Sequence, residues 1–268
     1  MSTSYSDLST YWSCPRLFGF KKLGYIPPTV SEPLATGSLT HIGIAAHFRG
    51  QDAQQAMSDT LQENYSAGIS KLSGAERYEY EETLSKASAR ARELLKRYVA
   101  HWAKDYQPIL VEPELELDRV ICHPDLIAHY KERRAVVDHK TSYHPDNRWY
   151  DLSGQVDLYA YILRATESAD LVIYDVISEE GIFRHMRPPR LEAGRRLFEG
   201  CQELNNKCSW ESKADEGFHL KTYFLNEPHP DYTCPSRCSF FVPCWLLETD
   251  TWESCRDYLE SNFLWEGK

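Results

Sequence analysis

Apolar positions along this chain repeat with two different periods. Over residues 4–25 (SYSDLSTYWSCPRLFGFKKLGY) apolar and aromatic side chains recur at helical spacing behind Ser and Asp residues of the capping type. Pro15 predicts a second helical piece, because proline is tolerated in a first turn, and Cys14 falls at the junction. The proline-rich stretch 26–37 reads as a loop. A long helix is expected from Ser38, with Leu39, Ile42, Ile44, Ala45, Ala46 and Phe48 marking a core face and His41 one turn in. Residues 75–105 predict a second long helix with Glu and Lys/Arg at i, i+4 spacing, whose basic face (Arg90, Arg92, Lys96, Arg97) reads as solvated.

Near residue 109 the period drops to two. Three strands are expected, at 109–121, 124–131 and 134–140, with the KERR stretch as the hairpin turn between the last two. Asp125 and Asp138 then lie on neighbouring antiparallel strands, while Asp138 and Lys140, two apart, share a face. A helix at 149–168 puts Gln155 and Tyr159 together at i, i+4. Strands at 169–178 and 181–189 follow, then a helix at 190–211 with Arg190, Arg195 and Arg196 early in it, and finally a cysteine-rich loop with a short helix.

Composition narrows the picture. At 268 residues with 42% apolar content the chain can bury a sizeable core. No apolar run approaches the roughly 20 residues of a membrane span, and the first residues lack the basic and apolar regions of a secretory signal, so the cytoplasm is expected and no membrane partner. A net charge of −10 argues against non-specific coating of a duplex but leaves processing of nucleic acid open, since a carboxylate site holds cations that reverse its local sign. Eight cysteines are many for a compartment that disfavours disulfides, so those that cluster are first read as metal ligands.

The strand region carries the candidate chemistry. Hydrolysis of a phosphodiester needs a metal to polarise the phosphate and to lower the pKa of an attacking water. Hard cations such as Mg²⁺ or Mn²⁺ take carboxylate, carbonyl and water oxygens. Asp125 and Asp138 are the natural ligands, with the backbone carbonyl of His139 as a third and the His41 imidazole, which suits Mn²⁺, completing the set. Lys140 can orient the water or offset charge developing at phosphorus. Taken singly, D-x-K is equally a strand salt bridge.

The order Gly37-x-x-x-His41, Pro124-Asp125, Asp138-His-Lys140-Thr, Gln155-x-x-x-Tyr159 resembles the PD-(D/E)XK nucleases of the RecB type. The opening Ser6-Asp-Leu with Cys14-Pro15, and the closing cysteines, are similar to its iron–sulfur members, among them CRISPR-associated RecB-like nucleases and the nuclease domain of AddB. The likeness spans residues 4–248, with the helical segment least distinctive. It implies an α/β (α+β) fold: a restriction-endonuclease-like core with a central mixed β-sheet flanked by helices, a helical N-terminal part and a cysteine-clasped C-terminus. It implies one domain over residues 1–268 with a helical insertion at 50–105. Asp125 and Asp138 would hold the metal, Lys140 assist catalysis, His41 add a ligand, and Gln155 and Tyr159 place substrate.

The resemblance also implies a [4Fe–4S] cluster on Cys14, Cys234, Cys238 and Cys244, joining the start of the chain to residues 231–248. Three residues separate Cys234 from Cys238 where the family commonly has two, which leaves room for Cys255 as a ligand or for Zn²⁺ in a Cys₄ site. Members of the family act mainly as exonucleases on single-stranded DNA or unwound ends. The resemblance implies a helicase or a recombination or adaptation protein as partner, and since the chain carries no G-x-x-x-x-G-K-[ST] motif, any unwinding would come from that partner. The rival is a non-catalytic module for DNA-end binding or assembly, against which the intact Asp125, Asp138 and Lys140 set argues.

Overall fold

Ser4 opens the chain with a reciprocal cap. Its hydroxyl accepts from the Asp7 N–H while the Asp7 carboxylate accepts from the Ser4 N–H, starting α1 (Tyr5–Ser13). Cys14 ends α1 and caps α2 (Pro15–Lys22), its sulfur accepting from the Leu17 N–H at 3.4 Å. The structure is a computed structural model describing residues 2–143, 147–211, 238–249 and 252–265.

After the short β1 (Tyr25–Ile26), α3 (Glu32–Phe48) starts at Glu32 instead of at Ser38. Pro33 occupies the first turn, where its missing N–H leaves no hydrogen bond unmade, so part of the proline-rich stretch begins a helix. Gly50, at φ 69°, then stops α3, and Asp52 caps a separate helix, α4 (Ala53–Ser70). α5 (Gly74–His101) follows as expected.

The first expected strand is three: β2 (Tyr106–Val111), β3 (Leu115–Leu117) and β4 (Val120–Cys122). Glu112, at φ 49°, and Pro113 end β2, and Asp118 and Arg119, at φ 47° and 64°, turn β3 into β4. β5 (Leu126–Tyr130) and β6 (Arg133–Thr141) form the expected hairpin, through Lys131 and Glu132 at φ 47° and 67°, the paired left-handed conformation of a two-residue turn. The expected helix at 149–168 breaks at residues 153–154 into α6 (Asn147–Leu152) and α7 (Gln155–Leu163). β7 (Leu171–Ile177), β8 (Ile182–Arg187), α8 (Leu191–Glu211), α9 (Phe241–Thr249), α10 (Trp252–Asn262) and β9 (Leu264–Trp265) complete the described chain.

The main sheet has the order β2-β5-β6-β7-β8, parallel between β6 and β7 and antiparallel elsewhere. The parallel pair requires a crossover, which α6 and α7 supply. Ala135, Val137, Leu171 and Ile173 face Leu39, Leu94 and Tyr98 of α3 and α5, while Val136, Val172 and Val176 face Val156, Leu158 and Phe198 of α7 and α8. Covering both faces buries all of β7, which explains its unbroken apolar run. Each fully buried Val, Leu, Ile or Phe among them contributes about 1.5–3 kcal/mol.

Two close approaches depend on glycine. A Cβ on Gly37 would lie 3.0 Å from Thr141 Oγ1, so its absence lets α3 settle on the end of β6. A Cβ on Gly194 would lie 2.3 Å from the Asp157 carbonyl oxygen, which locks α8 onto α7. Helix propensity favours Ala over Gly by about 1 kcal/mol, but overpacking against backbone costs about 1–3 kcal/mol. Gly194→Ala is therefore expected to lower the urea midpoint, and an unchanged or raised midpoint would contradict this packing.

The chain ends meet. β1 pairs with β9, Phe20 stacks on Phe240 with ring centroids 5.1 Å apart, and the Trp265 indole donates to the Leu23 carbonyl at 3.2 Å. Buried Arg16 donates to Cys244 through both its carbonyl, at 3.3 Å, and its sulfur, at 3.1 Å.

Candidate active site

The hairpin register pairs Leu126 with Val137, and its continuation sets Asp125 opposite Asp138. Asp125 Oδ2 accepts the backbone N–H of His139 at 2.6 Å, while Oδ1 lies 3.0 Å from His41 Nδ1 on α3. Across the sheet, Asp138 and Lys140 project toward α7. Lys140 Nζ is 2.7 Å from Asp138 Oδ2 and donates to Gln155 Oε1 at 3.0 Å, and Gln155 Nε2 donates to Tyr159 Oη at 2.5 Å. The expected residues thus lie toward one end of β6 as two groups, His41 with Asp125 and Asp138 with Lys140, Gln155 and Tyr159.

Electrostatics drive the two carboxyls apart. Burial pushes Asp125 up, but the charge and hydrogen bond of His41, with His139 beside it, outweigh burial and hold it below the usual carboxylate range. Burial raises Asp138 more than Lys140 lowers it, and the Asp125 charge adds to the rise. Burial works against a charged His41 and a charged Lys140, yet Asp125 raises the first and Asp138 the second above their ordinary values. His139 is lowered, first by burial. Paired acids whose environments separate their pKa values mark acid–base sites.

The donor set fits a hard divalent cation in kind: two carboxylates and an imidazole, with the enclosed Asp138 Oδ2 making no hydrogen bond of acceptable angle although Lys140 Nζ is close. Among the described residues no three His, Cys, Asp or Glu side chains already converge in metal-binding geometry. The reason is visible in the pairing, since His41 and Asp125 face each other and Asp138 faces Lys140.

A sequence profile of the PD-(D/E)XK nuclease superfamily matches residues 2–244. The chain belongs to the PD-(D/E)XK nuclease superfamily. Its fold is similar to that of a candidate exonuclease from Eubacterium rectale, with a TM-score of 0.50 at 13% identity over 82% of this chain and 85% of the other. A second solved structure, SSO0001, aligns over 81% of this chain and 90% of its own at 14% identity with a TM-score of 0.29, and adds nothing to that likeness. No curated protein matches. Among the described residues, no helix of this superfamily member is long and apolar enough to cross a membrane.

The remaining candidates are placed less completely. Cys14 lies between α1 and α2, and Cys238 and Cys244 border the apolar cluster of Phe20, Phe240 and Cys255. Cys234 falls outside the described residues, as does the 231–237 part of the 231–248 stretch. Cys122, Cys201 and Cys208 are buried in the core, where burial pushes the Cys122 and Cys201 thiols up to about 12.

Sequence reasoning missed the groups behind the site. His139 points away from Lys140, onto the α5 side, where Tyr98 Oη lies 2.8 Å from its Nε2. Tyr106 donates to Asp175 Oδ2 at 2.7 Å, the Tyr98 hydroxyl lies 3.3 Å from the same oxygen, and Arg184 holds both Asp175 oxygens. One signal was available: Asp175 is the single charge in the apolar run LVIYDVI, and a strand buried on both faces cannot keep a charge without a partner. On the other face Asp157, fully buried, takes Arg187 and Arg190 and so ties α7 to β8 and α8.

Proposed function

We propose that this chain is a metal-dependent deoxyribonuclease acting as an exonuclease on single-stranded DNA. The observation that carries this reading is that His41 of α3 and Asp125, just before β5, pair with each other beside Asp138 and Lys140 of β6. Mg²⁺ or Mn²⁺ held by His41, Asp125, Asp138 and the His139 carbonyl would polarise the scissile phosphate and lower the pKa of the attacking water. Asp125, held ionised, is the permanent negative ligand. Lys140 keeps its charge against burial, so its ammonium can orient the water and offset charge developing on phosphate oxygens. Gln155 fixes that ammonium, and Tyr159, itself buried, fixes Gln155. The pair assigned from the resemblance to substrate placement thereby acts through Lys140.

The RecB-like resemblance and the description of the Eubacterium rectale neighbour as a candidate exonuclease support an exonuclease. We place a [4Fe–4S] cluster on Cys14, Cys234, Cys238 and Cys244, clasping one nuclease domain of residues 1–268 that carries a helical insertion at 50–105. Cys255, buried in the apolar cluster that Cys238 and Cys244 border, is the alternative ligand, and Zn²⁺ in a Cys₄ site the alternative metal. DNA ends would reach the site from a helicase or a recombination or adaptation partner.

The test incubates end-labelled single strands with Mg²⁺ or Mn²⁺ and follows shortening from the labelled terminus. Progressive loss of nucleotides is expected. Binding of ends without cleavage under either metal favours the assembly-module alternative. Visible absorption of the purified protein separates an iron–sulfur cluster from zinc, which absorbs none.

His41 must be neutral to act as a ligand, yet Asp125 raises its pKa. Mn²⁺ affinity is therefore expected to climb with pH, by up to about tenfold per unit for one displaced proton, and to level off above the His41 pKa. Titration calorimetry in buffers of different ionisation enthalpy should register proton release at low pH that fades as pH rises. Affinity independent of pH would exclude His41 as a ligand.

A further inference from the structure

We propose that Tyr98, from the helical segment the resemblance leaves featureless, is a positioning residue that sets the tautomer of His139 and thereby holds Asp125 in its metal-binding orientation. The inference rests on Asp125 being a metal ligand, as proposed above. The Tyr98 hydroxyl has one proton and two acceptors within reach: His139 Nε2 at 2.8 Å and Asp175 Oδ2 at 3.3 Å. Asp175 is already supplied. Arg184 Nε reaches Oδ1 at 2.7 Å, and Arg184 Nη2 and Tyr106 Oη reach Oδ2 at 3.1 and 2.7 Å.

The Tyr98 proton therefore goes to the shorter contact, His139 Nε2. A neutral imidazole carries one N–H, so the His139 proton sits on Nδ1. That nitrogen faces Asp125 Oδ2 at 3.6 Å, too long for a hydrogen bond but close enough for the N–H dipole to favour a carboxylate. Oδ2 also takes the His139 backbone N–H at 2.6 Å, so one residue restrains this oxygen from two directions and Oδ1 is left toward His41. The other tautomer would set a lone pair against the same oxygen. Outer groups of this kind orient ligating side chains, and their removal typically costs about 10–100-fold in metal affinity.

The arrangement is sealed. Tyr98, His139 and Asp175 are all buried, and the Tyr98 and His139 rings meet edge to face with centroids 5.0 Å apart. Tyr98→Phe removes the hydroxyl and keeps the ring, so packing survives. Asp175→Asn disturbs the buried ion pair with Arg184 yet leaves Tyr98 free to donate to His139. A purely structural network predicts the larger effect on every readout from Asp175→Asn, whereas tautomer control predicts it from Tyr98→Phe.

Two measurements on the 268-residue chain decide between them. Long-range ¹H–¹⁵N spectra, with His139 assigned by its loss in His139→Gln, should show Nδ1–H in the wild type and in Asp175→Asn, and a shifted tautomer in Tyr98→Phe. Mn²⁺ titration should show about 10–100-fold weaker binding for Tyr98→Phe, with a smaller loss for Asp175→Asn. An Nε2–H tautomer in the wild type, or wild-type Mn²⁺ affinity in Tyr98→Phe, overturns the proposal. If the wild type binds no Mn²⁺, the metal reading of Asp125 fails instead, and the spectra alone judge the tautomer. Should Asp175→Asn not fold, Tyr98→Phe carries both readouts.

Discussion

Lys140→Ala is expected to lower kcat on single-stranded DNA by about 10²–10³-fold at saturating Mn²⁺, the loss typical of one preorganised donor to a developing negative charge. Lys140 is held between Asp138 Oδ2 and Gln155 Oε1, so its position is set before substrate arrives. Its side chain is 33% exposed, unlike the enclosed Asp138, and so is the charged group of this pair that a phosphate can meet. KM should change far less than kcat, because the contact matters most as charge builds. Gln155→Ala leaves the ammonium in place but unguided and should cost roughly tenfold, an intermediate value for lost orientation. Single-turnover digestion of labelled strands measures both. A Lys140→Ala protein within tenfold of wild type would remove the lysine from the chemistry.

Asp175→Ala is expected to destabilise the fold by about 3–5 kcal/mol, the range for deleting one partner of a buried ion pair. Asp175 is fully buried, and the Arg184 side chain is only 7% exposed, with its guanidinium 3.9 Å from the Trp102 ring. The substitution leaves that guanidinium only its bonds to Asp105 Oδ2, at 2.9 Å, and to Tyr130 among the described residues, and leaves Tyr106 without its acceptor. Against a total stability of about 5–15 kcal/mol, this is enough to unfold a substantial fraction of the protein. Urea titration by circular dichroism measures it, and a loss under 1 kcal/mol would show that the network is not what stabilises this face.

The main candidates were legible because each sits in a local pattern. Asp138 and Lys140 share a strand face by period two, and Gln155 and Tyr159 share a helix face by i, i+4 spacing, as their hydrogen bond shows. The KERR turn announced the hairpin that sets Asp125 opposite Asp138. Helix starts were less legible. Pro33 is a loop signal by composition and a first-turn residue in fact, since both states tolerate a missing N–H. The expected first strand divides because Glu112 and Asp118-Arg119 adopt left-handed backbone that no local apolar pattern encodes.

Periodicity and residue order by themselves determined most of the elements and the pairing of β5 with β6, while the mixed sheet flanked by helices and the grouping of His41, Asp125, Asp138, Lys140, Gln155 and Tyr159 as one candidate site followed from the order of motifs that resembles PD-(D/E)XK nucleases. Those properties are local, or depend only on order along the chain. Tertiary structure alone decided what stands behind the site. Tyr98 reaches His139, Arg184 neutralises Asp175, and Arg16 meets Cys244 through contacts between elements far apart in sequence. No spacing rule links such residues. They are brought together because burial of a charge or hydroxyl is tolerable only where another element supplies its partner, and which element does so is settled when the helices close over the sheet.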